Sequence, residues 1–382
     1  MSAPNPSAPK RALLLAAGGG REECEELSEL AAVSGYFCPA MHSAAVRRPK
    51  AATYIGEGAI TAAGELAEKF KTEAVIVGAD LSSVQARNLE ARWGVRVIDR
   101  TDLILEIFSV RARAYESKLQ VELARSRRRL GRLAGQWTHL ERQRGGIGLR
   151  GGPGEKQIEI DRRLLSAKIK KIERKIESMA ARNMTARARR AKNGVLTAAL
   201  VGYTNAGKST LFNALTRAGM SANPRPFDTV DSTARRIFID GTAAVVSDTV
   251  GFIRNLPHEL LAGFRATLQE AAAGDVIAVV ADAACPDCGE RLSAVHSTLD
   301  AIGAAPERRL LVMNKIDKIG VSARTMRGAC GTIREVWLSG RRGEGVAGLR
   351  RALQEAAKNA AQEKPENTDE NQSFFSEPTA RY

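Results

Sequence analysis

One eight-residue segment, GYTNAGKS at positions 202–209, constrains the fold of this chain more than any other feature. It follows the apolar run LTAALV and precedes STLFNALTRA, whose apolar residues recur at helical spacing. The segment matches the pattern G-x-x-x-x-G-K-S/T at every specified position, between the strand and the helix that this pattern requires. It therefore predicts a P-loop within an α/β domain that has an open, mostly parallel sheet.

The residue types in this loop are those that bind phosphate groups and Mg²⁺. Gly202 and Gly207 allow the backbone to point its N–H groups at phosphate oxygens, and the following helix adds the positive end of its dipole. Lys208 is predicted to place its cation on the β- and γ-phosphates, and the Ser209 hydroxyl to bind Mg²⁺. The predicted nucleotide contacts of the loop are Gly202, Tyr203, Thr204, Asn205, Ala206, Gly207, Lys208, Ser209 and Thr210.

The segment DTVG at 248–251 ends the apolar strand AAVVSD. Asp248 is predicted to hold Mg²⁺ through water, and the N–H of Gly251 to meet the γ-phosphate. Thr249 and Val250 lie between them and are included among the nucleotide contacts. Asp and Gly are common where strands end, so this segment indicates a nucleotide site only because it follows the P-loop in the sequence.

The segment NKID at 314–317 predicts the choice of base. The Asp317 carboxylate can accept hydrogen bonds from guanine N1–H and the 2-amino group, which adenine cannot offer. A buried polar group without a partner costs ~1–3 kcal/mol, so this carboxylate favours GTP over ATP. Asn314 and Lys315 are predicted to tie this loop to the P-loop. The other predicted contacts around the base are Ile316, and Ser339 and Gly340 of the segment WLSG.

The segment FDTVDSTARR at 227–236 lies between the P-loop helix and the next strand. A threonine there is expected to reach Mg²⁺ and the γ-phosphate when GTP is bound. Thr229 is the first choice and Thr233 the second, against the alternative of an ordinary polar loop. Phe227, Asp228 and Val230 join the predicted nucleotide contacts, and the predicted catalytic set is Lys208, Thr229 and Gly251.

The net charge of +15 is concentrated in one segment. Residues 111–192 hold 24 of the 58 Lys and Arg residues but 8 of the 43 Asp and Glu residues. So local an excess predicts a polyanion site, and nucleic acid is the favoured partner. The alternative is a solvated, salt-bridged helical face, which the shortage of acidic residues disfavours.

Periodicity divides the chain into five predicted parts. The heptad stripes Leu119, Leu123, Ser126, Leu130, Leu133 and Leu165, Ile169, Ile172, Ile176, Met179 predict an antiparallel hairpin, with one helix over 101–144 and a second to about Arg182. The predicted parts are a loose tail (1–10), a small α/β domain (11–100), a basic helical hairpin with a glycine-rich tip (101–192), a GTPase domain (193–357) and a polar, disordered tail (358–382).

The ordered elements resemble the translation-factor class of GTPases, and the chain resembles the HflX family over about residues 11–355. The stretches VRVIDRTDLILEIFSVRA, WTHLERQRGGIG, GPGEKQIEIDRR and DTVGFIRNLPHELLAGFRATLQEA carry this resemblance. It implies an N-terminal α/β domain, a basic hairpin and a GTPase domain. The family binds the large ribosomal subunit, and some members split ribosomes under stress.

The resemblance implies that the hairpin contacts ribosomal RNA, with the loop 145–154 at its tip. Arg142, Arg144, Arg150 and Lys156 are the predicted RNA contacts. The chain departs from the family pattern by an extra residue in GLRGGPGE, by Gly340 in place of alanine, and by a short, polar C-terminal part. The alternative function is an RNA-binding module whose nucleotide is structural and does not cycle.

Phe252 occupies the position after DxxG where many GTPases have a glutamine that orients the attacking water. Its side chain forms no hydrogen bonds, so slow intrinsic hydrolysis is expected. The ribosome or a potassium ion would then complete the site. Asn205 lies where related loops of the form GxxNxGKS bind potassium, and the alternative is that Asn205 only braces the loop.

The remaining features predict a cytosolic protein that acts as a monomer. No apolar run approaches the ~18 residues of a membrane span, and the N-terminus lacks the apolar core of a secretory signal. Five cysteines are too few for a disulfide framework. Cys285 and Cys288 form a single CPDC pair without a second pair or paired histidines, so a plain surface loop is favoured over a zinc site.

Overall fold

The computed structural model describes residues 9–18, 20–143, 153–216, 233–239, 241–249, 251–252 and 272–362. The first part of the chain forms a four-stranded parallel sheet with helices between the strands. Its elements are β1 (Lys10–Ala17), α1 (Arg21–Val33), β2 (Tyr36–Ala44), α2 (Glu57–Lys69), β3 (Ala74–Val77), α3 (Ser83–Trp93), β4 (Arg96–Asp99) and α4 (Arg100–Arg111). The strand order is β2-β1-β3-β4. The apolar runs ALLLAA (12–17), AVIVGA (74–79) and VRVID (95–99) predict β1, β3 and β4. The edge strand β2 is not predicted, because Pro39 and polar residues interrupt its apolar pattern.

Two long helices follow, α5 (Tyr115–Gln143) and α6 (Pro153–Lys192). The predicted seam is confirmed, because Leu119 and Leu123 pack in one buried cluster with Ile169, Ile172 and Ile176. An ion pair between Arg127 and Glu173 at 2.7 Å also joins the two helices. The hairpin is therefore held by an apolar stripe with charged groups beside it.

Two predicted helix bounds in this region are wrong. The single helix predicted over 101–144 is two helices, because the backbone at Ala112 turns to an extended conformation after α4. Helix α4 packs Ile104 and Phe108 into the buried cluster of the first sheet. Helix α5 adds Val121 and Ala124 to that cluster and packs its opposite side on α6. The second helix ends at Lys192 rather than near Arg182. Its last turns lack an apolar stripe, but they are rich in alanine and arginine, which favour helix.

The second sheet has seven strands in the order β10-β11-β9-β8-β5-β7-β6. Its elements are β5 (Leu196–Gly202), α7 (Lys208–Thr216), β6 (Thr233–Ile239), β7 (Thr242–Asp248), β8 (Val276–Asp282), α8 (Cys288–Ala301), β9 (Arg309–Asn314), β10 (Arg324–Arg327), β11 (Ile333–Trp337) and α9 (Val346–Gln362). Pairing is parallel except at the two edges, β6–β7 and β10–β11. The α/β fold with a mostly parallel sheet is therefore confirmed, although the fully exposed edge strand β10 was not predicted.

The carboxyl ends of the central strands β5, β7, β8 and β9 meet at one edge of the second sheet, where the predicted nucleotide site lies. Buried side chains from both sheets belong to one apolar cluster. Leu27 and Leu30 of α1 contribute to it, as do Val201 of β5 and Phe252. The site is therefore supported by the first part of the chain as well as by its own sheet.

Candidate nucleotide-binding site

The P-loop follows β5, and its two pattern glycines are required by geometry. Gly202 has φ of 153° and Gly207 has φ of 91°, a region that favours glycine. A Cβ atom on Gly202 would lie 2.2 Å from the Val280 carbonyl oxygen, and one on Gly207 would lie 2.3 Å from the Asn314 amide nitrogen. Neighbouring strands thus leave room only for backbone at these positions.

Lys208 begins α7 and is buried beneath the loop. Its Nζ atom donates to the carbonyl oxygens of Gly202 at 3.1 Å and Tyr203 at 2.9 Å. Burial lowers the pKa of Lys208 to about 8, and the Asp248 carboxylate opposes that shift. The lysine is therefore fixed at the place where the pattern requires a cation for the phosphates.

Ser209 and Asp248 lie together, as predicted for a magnesium site. The Ser209 hydroxyl donates to Asp248 Oδ2 at 2.7 Å, and Asp248 is fully buried at the end of β7. Both groups supply oxygen, which Mg²⁺ prefers, and Mg²⁺ usually keeps several waters and phosphate oxygens as further ligands. Within the described ranges, no group of three His, Cys, Asp or Glu side chains is arranged as a metal site. The residues present therefore fit Mg²⁺ bound jointly with a nucleotide.

The segment after Asp248 lies directly against the P-loop. Thr249 is buried and donates to the Leu200 carbonyl oxygen at 2.8 Å, so its side chain braces β5. A Cβ atom on Gly251 would lie 2.8 Å from Thr204 Cγ2 and 3.0 Å from Lys208 Nζ. Gly251 is therefore close enough for its backbone to face the predicted position of the γ-phosphate.

Phe252 contributes packing and backbone contacts, which the sequence did not reveal. Its side chain is 4% exposed. Its N–H donates to the Gly202 carbonyl oxygen at 3.0 Å, and its own carbonyl oxygen accepts from the Thr204 N–H at 2.6 Å. The position that carries glutamine in many GTPases is thus filled by an apolar residue anchored to the P-loop.

The NKID loop after β9 is tied to the P-loop as predicted. Asn314 is buried, and its side chain donates to the Ala206 carbonyl oxygen at 2.9 Å and accepts from the Gly340 N–H at 2.9 Å. Lys315 Nζ donates to the Asn205 carbonyl oxygen at 2.6 Å and to Asp282 Oδ2 at 2.7 Å. Asp282, at the end of β8, was not predicted, because no sequence pattern marks it.

Asp317 and Ser339 come together from separate segments. The Ser339 hydroxyl donates to Asp317 Oδ1 at 2.6 Å and accepts from the Arg342 N–H at 3.1 Å. The hydrogen bond from Ser339 lowers the pKa of Asp317, so the carboxylate is ionised at neutral pH. Ile316 is buried behind this loop. The arrangement presents an oriented carboxylate of the kind that pairs with guanine.

Several predicted residues lie outside the described part of the chain: Phe227, Asp228, Thr229, Val230, Val250, Arg144 and Arg150. Thr210 lies in α7, and Thr233, the second choice for the magnesium threonine, begins β6 opposite Asp248. For Arg142 in α5 and Lys156 in α6 only the position in the helix is described. Their predicted contacts remain predictions.

Tyr203 joins the P-loop to the first part of the chain, which the sequence did not predict. Its ring is 8% exposed, and its hydroxyl donates to Glu26 Oε2 of α1 at 3.3 Å. Arg100 donates to Glu26 Oε1 at 2.7 Å, and the Arg291 guanidinium lies 4.8 Å from the centre of the Tyr203 ring. These partners are distant in sequence, so spacing alone gave no signal.

A P-loop after a parallel strand, a Ser–Asp pair that fits Mg²⁺ and an NKID loop bonded to the P-loop define a P-loop GTPase. Family models match three consecutive segments: "GTP-binding GTPase N-terminal" over 21–109, "GTP-binding GTPase Middle Region" over 111–190 and "50S ribosome-binding GTPase" over 197–315. Two relatives that carry the name GTPase HflX are 42% and 44% identical to this chain over 91% and 87% of its length, so the chain belongs to the HflX family of GTPases.

GTPase HflX of Magnetococcus marinus is 42% identical over 360 residues, which cover 91% of this chain and 82% of that protein. GTPase HflX of Escherichia coli K12 is 44% identical over 336 residues, covering 87% and 79%. Among solved structures, the SsGBP–GDP complex aligns with a TM-score of 0.50 at 23% identity, over 92% of this chain and 99% of that one, and shows the shared fold. Within the described residues, no helix is long and apolar enough to cross a membrane.

Proposed function

We propose that this GTPase associates with the large ribosomal subunit through the basic hairpin α5–α6, and that GTP binding and hydrolysis control the association. The observation that carries the proposal is the charge on the outer face of α6. Its exposed basic side chains are Arg162, Arg163, Lys168, Lys170, Lys171, Arg174, Lys175, Arg182, Arg189 and Lys192. Few acidic side chains accompany them, and a surface of this kind attracts the phosphate groups of RNA.

Not every arginine of the hairpin is available for RNA. Arg128 and Arg132 of α5 bind Asp99 and Asp102 at the base of the hairpin. Arg127 is paired with Glu173 on α6. Lys168 pairs with Glu122 of α5 at 2.8 Å. Exposed basic side chains therefore remain along α6 between Arg162 and Lys192. The predicted RNA contacts Arg142, Arg144, Arg150 and Lys156 rest on the family resemblance.

The name of the matching model over 197–315, "50S ribosome-binding GTPase", supports the same partner. In the proposed cycle, the GTP form binds the subunit and hydrolysis releases it. Splitting or rescue of stalled ribosomes under stress, which the family resemblance implies, is the proposed outcome of that cycle. Mg²⁺ would be held by Ser209, Asp248 and Thr229, and Lys208 with the loop N–H groups would stabilise charge on the phosphates.

Cosedimentation with purified large and small subunits, in a non-hydrolysable GTP analogue and in GDP, tests the proposal. We expect the analogue form to pellet with large subunits and the GDP form to bind more weakly. Binding should also fall with salt, because each RNA phosphate contact adds roughly one unit to the slope of log K against log salt. Equal subunit binding in the GTP analogue and in GDP, together with GTP hydrolysis that subunits do not stimulate, would favour an RNA-binding module with a structural nucleotide.

The hairpin variant Arg142→Ala/Arg144→Ala/Arg150→Ala should weaken subunit binding and flatten the salt slope, because RNA phosphates lose their partners. GDP affinity should be unchanged. A matched control removes the same charge from the first part of the chain, where Arg47, Arg48 and Lys50 are exposed. If both triple variants lose binding equally, net charge rather than the hairpin accounts for the association.

A further inference from the structure

Two cysteines outside the predicted nucleotide contacts lie beside the P-loop. Cys285 and Cys288 flank Pro286 and Asp287 in the turn between β8 and α8, and the Cys288 N–H donates to the Cys285 carbonyl oxygen at 3.2 Å. A four-residue turn closed by this bond brings its first and last Cα atoms within about 7 Å. Disulfides need a Cα separation of about 4.4–6.8 Å, so the turn holds the two cysteines close to a bonding geometry.

Both thiols are half-buried and line one cavity together with the P-loop residues Tyr203, Thr204, Asn205 and Ala206. Burial raises the pKa of Cys288, and the neighbouring Cys285 acts in the same direction. The described residues bring no third His, Cys, Asp or Glu to the pair in a metal-binding group. A raised pKa slows the attack of Cys288 as a thiolate, so the case for a disulfide rests on the closeness of the two thiols in the turn.

The turn is connected to the nucleotide site through Asp282, three residues before Cys285. One Asp282 oxygen accepts from Lys315 Nζ at 2.7 Å, and the other accepts from the Ala284 N–H within the turn at 3.0 Å. The Asp282 carbonyl oxygen accepts from the Cys285 N–H at 3.1 Å. Lys315 in turn donates to the P-loop at Asn205. A change in the turn is therefore transmitted through two hydrogen bonds to the loops that enclose the nucleotide.

We propose that Cys285 and Cys288 are a reversible redox site, in which a disulfide between them slows release of the bound nucleotide. The inference rests on the GTPase site and not on ribosome binding. Hydrogen peroxide is the oxidant class: the Cys285 thiolate attacks one peroxide oxygen, the O–O bond breaks, and hydroxide leaves and takes a proton from solvent to become water, so that Cys285 becomes a sulfenic acid. The Cys288 thiol then attacks that sulfur, the S–S bond forms, and a second water leaves. A dithiol reductant reverses the reaction by thiol–disulfide exchange.

The disulfide is expected to slow nucleotide release because it restrains the turn that holds Asp282. Lys315 holds the NKID loop against the P-loop while bonded to Asp282, and in the proposed site these loops separate before the nucleotide leaves. The disulfide closes the turn that fixes Asp282, so fewer open conformations are accessible. Rigidifying a loop in its bound conformation favours the complex, and we expect release of GDP to slow by roughly threefold.

The test treats the full chain, loaded with a fluorescent GDP, with hydrogen peroxide and then with a dithiol reductant. Peptide mass analysis should show Cys285 joined to Cys288 after peroxide and free after reduction. Displacement of the labelled GDP by excess GDP should be slower in the oxidised protein and recover on reduction. Cys285→Ser and Cys288→Ser should abolish both effects, whereas Cys330→Ser, which removes an exposed thiol elsewhere, should retain them.

Either of two results would overturn the proposal. The first is that both thiols stay reduced, or pair with other cysteines, when peroxide oxidises the exposed Cys330. The second is that the disulfide forms but GDP leaves at the same rate in oxidised and reduced protein. The serine variants should bind GDP like the reduced wild type, which shows that they are folded and makes the comparison valid.

Discussion

At the scale of the residue, Asp317 is the group expected to choose the base. Its carboxylate is ionised and oriented by the Ser339 hydroxyl. Asp317→Asn exchanges an acceptor for a donor, so GTP should bind roughly 10- to 100-fold more weakly, as expected for an unmatched polar group. Xanthosine triphosphate, which has a carbonyl in place of the 2-amino group, should now bind.

Competition binding against labelled GDP measures both effects. Ser339→Ala is the matched control, because it loosens Asp317 but keeps the carboxylate. That variant should lose some GTP affinity without gaining xanthosine nucleotides. An Asp317→Asn protein that still prefers guanine would show that another group reads the base.

Catalysis gives the second prediction at this scale. Phe252 is buried, and its backbone is hydrogen-bonded to the P-loop. Because its side chain has no hydrogen-bonding group, it cannot orient water, and basal hydrolysis should be slow. Large subunits should stimulate phosphate release strongly. Potassium should stimulate it more than sodium at equal ionic strength if Asn205 helps bind the ion. Phe252→Gln should destabilise the protein rather than speed hydrolysis, because it buries an amide in an apolar cluster.

The choice of variant at Asn205 matters, because this residue has φ of 60°. Asn205→Ala tests the side chain but also strains the left-handed backbone by ~1–2 kcal/mol. Asn205→Gly removes the side chain without that strain. Equal rates in potassium and sodium, unchanged in both variants, would mean that the Asn205 side chain binds no potassium. A fast basal rate would show that the mechanism lacks a residue.

The sequence predicts single residues well where function depends on a short, contiguous pattern. Gly202, Gly207 and Lys208 are required by the local path of the P-loop, so spacing alone identifies them. Asp282 and Glu26 escape notice because their roles arise only when distant strands and helices meet. The sequence shows that an aspartate ends a strand, but it does not show whether a lysine from a distant segment contacts that aspartate.

At the scale of the element, the base of the hairpin is fixed by a buried charge cluster. Asp99 is fully buried at the end of β4 and accepts from the Asp102 N–H at 2.8 Å. Arg128 and Arg132 of α5 both bind it. The sequence predicts one continuous helix over 101–144 because no proline interrupts that segment. It could not show that the chain turns at Ala112, so that α5 folds back on α4 and also packs on α6.

Removing Arg128 should destabilise the protein in a pH-dependent way. Burial and the Asp102 carboxylate raise the pKa of Asp99 to about 6, while Arg128 opposes the shift. An acid whose pKa is raised by folding stabilises the fold at low pH and loses that contribution as the pH rises through about 6. Arg128→Ala raises that pKa further, so the free energy of unfolding should fall by ~3 kcal/mol at pH 8 and by less at pH 5.

Urea denaturation at the two pH values measures this difference. Arg129→Ala is the matched control, since Arg129 is the adjacent arginine on α5 and is exposed. It should change the free energy of unfolding little at either pH. An equal loss for Arg128→Ala at pH 5 and pH 8 would show that the ionisation of Asp99 is not responsible.

At the scale of the whole molecule, the contact between Tyr203 and Glu26 joins the nucleotide loop to the first sheet. Because Tyr203 belongs to the P-loop and Glu26 to α1, any movement of one must be accommodated by the other. Arg100 fixes Glu26 through a 2.7 Å bond, so the carboxylate is held in place to receive the tyrosine hydroxyl. The two parts of the chain should therefore be energetically coupled at this point.

A double-mutant cycle measures the coupling. Tyr203→Phe removes the hydroxyl but keeps the ring against Arg291, and Glu26→Gln removes the charge but keeps the shape. Each single change should lower the free energy of unfolding, and the double variant should lose less than the sum by ~1 kcal/mol, the scale for residues in direct contact. The control pairs Tyr36→Phe with Glu26→Gln, because the Tyr36 hydroxyl donates to Glu106 instead. That pair should be additive. If the Tyr203 cycle is additive as well, the hydroxyl contact does not join the P-loop to the first sheet, and the shared apolar cluster alone holds the two parts together.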